Sequence, residues 1–322
     1  NGNWGFLAEA TPGAPNVGPA LAAAPSAPEF SISGGFHDAP VSLVITSTTA
    51  GADIYYTLDG SEPNPGLRYT GPILISTNQV VRARAVQDGA IPSATLTHTY
   101  LIGVSAAKKS LPALCLGGDP VLTYYGPNTS GGPAAGEGIF AIKGGVYTNN
   151  EHWSHGGDST AFSWPLQRGR ATEKPGTLEF YPPNGDALRT GVGVRLAGST
   201  DTRLRCRLTD AATAVFNPWD WKQKPSFNLF FRPEWNVRPI DYPLFGDLTV
   251  RRFKDVRLRA GKNDPTNPFI RDEYIRRIFL AMGQKGSAGI FTTVYINGIF
   301  KGYYNLCERL REGFMQEQYH ST

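Results

Sequence analysis

Cysteine and methionine are scarce, with 3 and 2 residues in a chain of 322. Cys115, Cys206 and Cys307 lie far apart and form no Cys-x-x-Cys pair, which argues against a zinc ribbon or a dithiol redox site. One disulfide and three buried thiols both stay open. Charge is also thin, since only 18% of residues are Asp, Glu, Lys or Arg and the net charge is +4. Lys and Arg are mostly interleaved with apolar strand residues, and the basic cluster Arg203–Arg207 holds no aromatic side chain, so no nucleic-acid partner is expected. No apolar run is long enough for a signal peptide or a membrane span, and the chain opens on Asn-Gly-Asn-Trp without an initiator Met. Gly-x-Ser-x-Gly, Walker A and paired-carboxylate patterns do not stand out. His152, His155 and Asp158 sit at a loose His-x-x-His spacing in a polar, glycine-bearing stretch, which reads as a loop rather than a metal centre.

Glycine and proline, by contrast, are plentiful (37 and 25), which favours β-structure and ordered loops over long helices. The length accommodates two domains. Residues 17–28 have the Ala/Pro composition of a semi-extended linker. Residues 29–103 read as an all-β module. Val41–Thr46 and Asp53–Thr57 are β-branched and aromatic runs, Asp59-Gly60 supplies a turn, and Val81, Ala83 and Ala85 alternate with Arg82 and Arg84. Leu111–Leu116 and Thr172–Tyr181 read as strands, separated by a long stretch rich in Gly, Asn, Ser and Thr.

Further along, Gly191–Thr200 reads as a strand that ends in Gly198-Ser199. Those small residues suit either an ordinary hairpin or a loop whose backbone N–H groups approach phosphates. Lys224 heads a strand in which Phe227, Leu229 and Phe231 alternate. Ile270, Tyr274, Ile275, Ile278, Phe279 and Met282 recur at helical spacing, with Asn267-Pro268 at the start and Gly283 at the end. Asp272 or Glu273, in the first turn, either favours the helix dipole or pairs with Lys224. Asn297-Gly298 predicts a type I′ hairpin between Ile290–Tyr295 and Phe300–Leu306. Glu308 beyond it either contacts a nucleotide or closes a surface ion pair.

Several strings in one order carry a resemblance. They are Lys-Pro-Ser-Phe-Asn-Leu-Phe-Phe-Arg (224–232), Asp-Tyr-Pro-Leu-Phe-Gly-Asp (241–247), Arg-Leu-Arg-Ala-Gly-Lys-Asn-Asp (257–264), Ile-Arg-Asp-Glu-Tyr (270–274) and Val-Tyr-Ile-Asn-Gly…Asn-Leu-Cys-Glu-Arg (294–309). Together they resemble the CotH kinase family of spore-coat-type atypical kinases. Tyr-Tyr-Thr-Leu-Asp-Gly-Ser-Glu-Pro and Tyr-Thr-Gly-Pro-Ile resemble the chitobiase C-terminal, fibronectin-III-like module of secreted carbohydrate-active enzymes, and residues 1–16 resemble the tail of a lamin-tail-type domain.

These resemblances imply a β-rich multidomain chain. Residues 1–28 would end an upstream lamin-tail-like domain and add a linker, 29–103 would be a fibronectin-III-like β-sandwich, and 104–322 the N-terminal part of an α+β kinase-like domain. The CotH resemblance implies ATP with Mg²⁺ or Mn²⁺ near Gly198, Ser199, Lys224, Asp272, Glu273 and Glu308, and phosphate transfer to Ser or Thr of extracellular or coat proteins. The family's catalytic Asn and Trp-Asp-x-Asp-like segments do not follow Arg309, so the chain is expected to be a fragment, inactive alone, of a secreted or cell-surface protein. Asn228 departs from the family, which often has a basic residue there, as does the Trp-bearing stretch 201–221. The alternative is a structural or adhesive component of a surface layer, coat or filament, with self-assembly, neighbouring coat proteins or a polysaccharide as partners.

Overall fold

The computed structural model describes residues 6–7, 20–64, 66–126, 138–142, 145–146, 169–198, 225–235, 237–246, 251–261 and 270–319. Ser199, Lys224, Cys206, His152, His155, Asp158 and Asn267-Pro268 lie outside the described residues. The chain divides into two compact units, Asn1–Gly103 and Val104–Thr322.

In the first unit, β1 (Phe6–Leu7) pairs with β2 (Ala20–Leu21). Strands β4 (Gly35–His37), β7 (Asp53–Thr57), β8 (Leu67–Arg68), β10 (Gln79–Val86) and β11 (Leu96–Ile102) form a sheet in the order β4-β11-β10-β7-β8. Two short pairs join β3 (Glu29–Phe30) to β6 (Ile45–Thr46) and β5 (Val41–Leu43) to β9 (Ile73–Ile75). The alternation expected of β10 is present: Val81, Ala83 and Ala85 are fully buried, while Arg82 on the other face pairs with Glu62. Leu43, Ile45 and Ile75 from the short pairs meet Ile54, Val81, Ala83 and Tyr100 from the sheet in one core. Gly60 takes the positive φ of 93° that the Asp-Gly turn requires, and Asp59 Oδ1 accepts the Ser61 N–H at 2.9 Å.

The second unit is a closed barrel of seven strands. They are β12 (Ala113–Gly117), β15 (Lys174–Tyr181), β16 (Leu188–Ala197), β17 (Ser226–Phe230), β20 (Asp255–Arg259), β21 (Gly289–Ile296) and β22 (Ile299–Glu308). Their order around the barrel is β12-β15-β16-β17-β20-β22-β21. β12 closes it, lying antiparallel to β15 and parallel to β21. Short pairs join β13 (Ala141–Ile142) to β14 (Gly145–Val146) and β18 (Ile240–Asp241) to β19 (Arg252–Phe253). The helices among the described residues are α1 (Ala106–Lys109), α2 (Arg271–Ala281) and α3 (Glu312–Tyr319). The unit is therefore a β-barrel with helices outside it rather than an α+β layer. The sequence reading missed two causes: β20 stands between β17 and β22, and β12 uses both of its edges.

Leu116, Leu178, Val194, Leu229, Leu258, Val294 and Leu306 all point inward, as the period of two along each strand demands. The Asn297-Gly298 turn has positive φ at both positions, 49° and 81°, as a type I′ hairpin needs. Gly283, at φ 78°, stops α2 with its N–H on the Leu280 carbonyl. The apolar face of α2 that the helical spacing marks out is not buried: Tyr274, Ile275, Phe279 and Met282 are all exposed. Its polar face holds it to the barrel instead. Cys115 and Cys307 are buried and form no disulfide among the described residues.

Candidate functional site

With Leu258 and Leu306 turned inward, the intervening residues of β16, β17, β20 and β22 form an outer sheet face. Strand pairing lines Arg195, Asn228, Arg257, Cys307 and Gly289 across five strands in a single row. Arg257 donates from Nε to Asn228 Oδ1 at 3.0 Å. A guanidinium from the neighbouring strand thus stands beside Asn228.

One end of this face is organised by α2. Glu273 is 4% exposed; its Oε1 meets Arg277 Nε at 2.8 Å and its Oε2 meets Arg276 Nη2 at 2.7 Å. Asn305 Nδ2 donates to the same Oε2 at 2.9 Å, and Arg276 also donates to Asn305 Oδ1. The helix can come this close because β21 begins with Gly289: a Cβ there would fall on Glu273 Oε2 and 3.0 Å from the Leu306 carbonyl oxygen. Asp272 lies 3.2 Å from Arg259 and 3.3 Å from Arg276, and its side chain is 38% exposed. Gly198, just past the end of β16, is exposed at φ 130°.

The other end is dominated by arginine. The buried ring of Phe230 has the guanidiniums of Arg232, Arg195 and Arg309 at 4.4, 4.8 and 5.1 Å from its centroid. Glu173 answers Arg232 at 3.2 Å and Arg195 at 3.6 Å, and Asp255 answers Arg309 at 2.9 Å. Burial pushes the Glu173 carboxyl up despite those arginines, because desolvation disfavours its charged form more than they favour it. Burial lowers Arg195 and Arg309, and the neighbouring Arg232 and Arg311 add to that shift. Trp235 donates from Nε1 to Glu173 Oε2 at 3.3 Å and lies against Gly193, where a Cβ would collide with the indole. A cleft of about 840 Å³ opens here, lined by Arg195, Phe231, Arg232, Lys254, Arg309 and Arg311, among others.

Of the residues singled out in the sequence, Asp272 and Glu273 come together with Arg259 and Asn305. Glu308 is placed otherwise: it is 6% exposed and its Oε2 accepts the Ala288 N–H at 2.9 Å, which ties the end of β22 to the start of β21. The arginine cluster escaped sequence reading because its members are scattered over strand ends from 173 to 311. The only local signal was charge at outward positions of apolar strands.

Compared with known families, residues 220–322 match the model of the CotH kinase protein, and residues 32–97 match that of the chitobiase/beta-hexosaminidase C-terminal domain. No curated protein matches the chain. The CotH-like segment supplies β17, β20, α2, β21 and β22, while β12, β15 and β16 precede it.

Proposed function

We propose that residues 104–322 form a kinase-like unit that binds ATP with Mg²⁺ or Mn²⁺ on the outer barrel face. The parent activity would be phosphate transfer to Ser or Thr of extracellular or coat proteins, in a secreted or surface-borne protein. The match of 220–322 to the CotH kinase family carries this reading. Lys224 would meet phosphate oxygens, and the backbone at Gly198-Ser199 would donate N–H groups to them. The positive φ and exposure of Gly198 fit that task, since a backbone without a side chain lets phosphate approach.

Between the two acids, Asp272 is the one able to meet a lysine or a metal-bound nucleotide, because Glu273 is committed to Arg276, Arg277 and Asn305. Glu273 therefore positions α2, and Glu308 holds the β21–β22 end in register. Among the described residues, no group of three His, Cys, Asp or Glu side chains is placed to hold a metal ion. The divalent ion would come bound to the nucleotide's phosphates and would supply positive charge there. Calorimetric titration of the full chain with ATP and Mg²⁺ or Mn²⁺ tests the reading. Binding lost in Lys224→Ala and weakened in Asp272→Asn is expected; a folded chain that takes up no nucleotide would sink it.

A second reading, a structural component of a coat or surface layer, is favoured by the exposed apolar face of α2. It predicts concentration-dependent self-association that Ile275→Lys abolishes in analytical ultracentrifugation; a monomer across the whole concentration range removes it.

A further inference from the structure

The arginine-lined cleft at the far end of the outer face is assigned nothing by the nucleotide reading, and its charges do not balance. Arg195, Arg232, Arg309 and Arg311 face Glu173 and Asp255, so four guanidiniums meet two carboxylates. Lys254 and Glu312 at the rim cancel each other and leave that excess of two. The Arg311 side chain makes no hydrogen bond or ion pair among the described residues, while burial, with neighbouring cations adding to it, already lowers Arg195 and Arg309. Arg309 is only 7% exposed, and its Nε donor has no hydrogen-bond acceptor among the described residues. Buried donors are normally satisfied, and gathering like charges without a counter-charge costs stability, so a built cluster of this kind calls for an anion.

We infer that this cleft is a second, anion-binding site that takes a phosphate monoester dianion carried on a peptide chain. Two negative charges match the excess of two, and planar guanidiniums present paired N–H donors to tetrahedral oxygens. A peptide is favoured over a nucleotide because the one ring at the site is unsuited to stacking a base: Phe230 is buried and its surroundings are already occupied by three guanidiniums. Pro233, Pro239 and Leu310 offer an apolar lining for the residues flanking the phosphoserine, and the roughly 840 Å³ of open space exceeds what a lone phosphate needs.

The test titrates the full chain with a fluorescent phosphoserine peptide, its unphosphorylated twin, and inorganic phosphate and ATP–Mg²⁺ as competitors. The phosphopeptide is expected to bind, with Arg311→Glu weakening it by about tenfold or more, as loss of a charge-assisted contact implies. Among the described residues the Arg311 side chain has no hydrogen-bond or ion-pair partner to lose, so its variant should melt with the parent. Arg309→Lys, which keeps the charge but removes the planar fork, should weaken the peptide while the barrel stays folded. Equal binding of both peptides, or no effect of Arg311→Glu in a folded chain, overturns the assignment. Inorganic phosphate binding as tightly as the phosphopeptide would reduce the site to a simple phosphate pocket and overturn the peptide part. Displacement of the peptide by stoichiometric ATP–Mg²⁺ would make the cleft the nucleotide site and overturn its separate identity.

Discussion

The two ends of the outer barrel face are built from the same strands and the same residue types, yet they solve opposite electrostatic problems. At the α2 end, Arg259, Arg276 and Arg277 meet Asp272 and Glu273, and Asn305 fills the remaining hydrogen-bonding positions on the buried carboxylate. Bonds within this network hold a helix whose apolar side is exposed. At the cleft end, Arg311 and the Arg309 Nε are left over. Both ends keep buried atoms without a hydrogen bond, Asp272 Oδ2 and Arg276 Nε at the α2 end and Glu173 Oε1 and Arg309 Nε at the cleft end, but the cleft end also holds Arg311, whose side chain has no pairing among the described residues. The difference is decided by carboxylate placement rather than by the number of arginines.

The largest test of that contrast is Glu273→Ala. It strips Arg276, Arg277 and Asn305 of their buried partner and should cost about 3–5 kcal/mol, read as a shift in the urea-unfolding midpoint. Glu273→Gln, which can keep the Asn305 contact, should cost less; equal losses would mean that charge alone holds α2. Next comes close packing. Gly289→Ala at the α2 end and Gly193→Ala against Trp235 at the cleft end should each cost about 1–3 kcal/mol, since the added methyl forces a side chain from its place. A neutral Gly289→Ala would show that α2 does not sit tightly on β21.

Acidity separates the ends in a different way. The Glu173 carboxyl is raised above its usual 4.5, so the folded protein holds that proton more firmly than the unfolded chain does. Its contribution to stability is therefore fullest below about pH 4.5 and declines as pH rises through the shifted value. Glu173→Gln should flatten that part of the stability–pH curve. An unchanged slope would place the carboxylate in a more solvated setting. The smallest effect is expected from Arg311→Ala, within about 0.5 kcal/mol of the parent, because its side chain makes no hydrogen bond or ion pair among the described residues. A loss comparable to that of Glu273→Ala would mean that the cleft arginines are structural after all.

Much of the strand pattern was legible from local chemistry. Period-two alternation predicted β10 and β17, and Asn297-Gly298 predicted the hairpin between β21 and β22 because only residues tolerant of positive φ fit that turn. Helix α2 was legible from its spacing and from Gly283, but the orientation of its faces was not. Apolar periodicity says which residues share a face, and here two polar groups on the opposite face, Glu273 and Arg276, bind Asn305 of the sheet. Asp272 and Glu273 were singled out from their place in the first turn, but not the arginines and Asn305 that they meet. The cleft was not, because Glu173, Arg195, Phe230, Asp255 and Arg309 belong to distant segments with no common motif.

By itself, then, the sequence determined where the main strands and the α2 helix run, which strand residues alternate inward, and the resemblance of residues 220–322 to CotH kinases, since all of these follow from neighbours a few residues apart. Only the tertiary structure decided that the strands close into a barrel, that β20 separates β17 from β22, and that three arginines pair with two carboxylates beside Arg311 in a cleft. Those outcomes depend on pairings between segments as far apart as β12 and β21, whose register is set by mutual burial of inward side chains and not by any local preference.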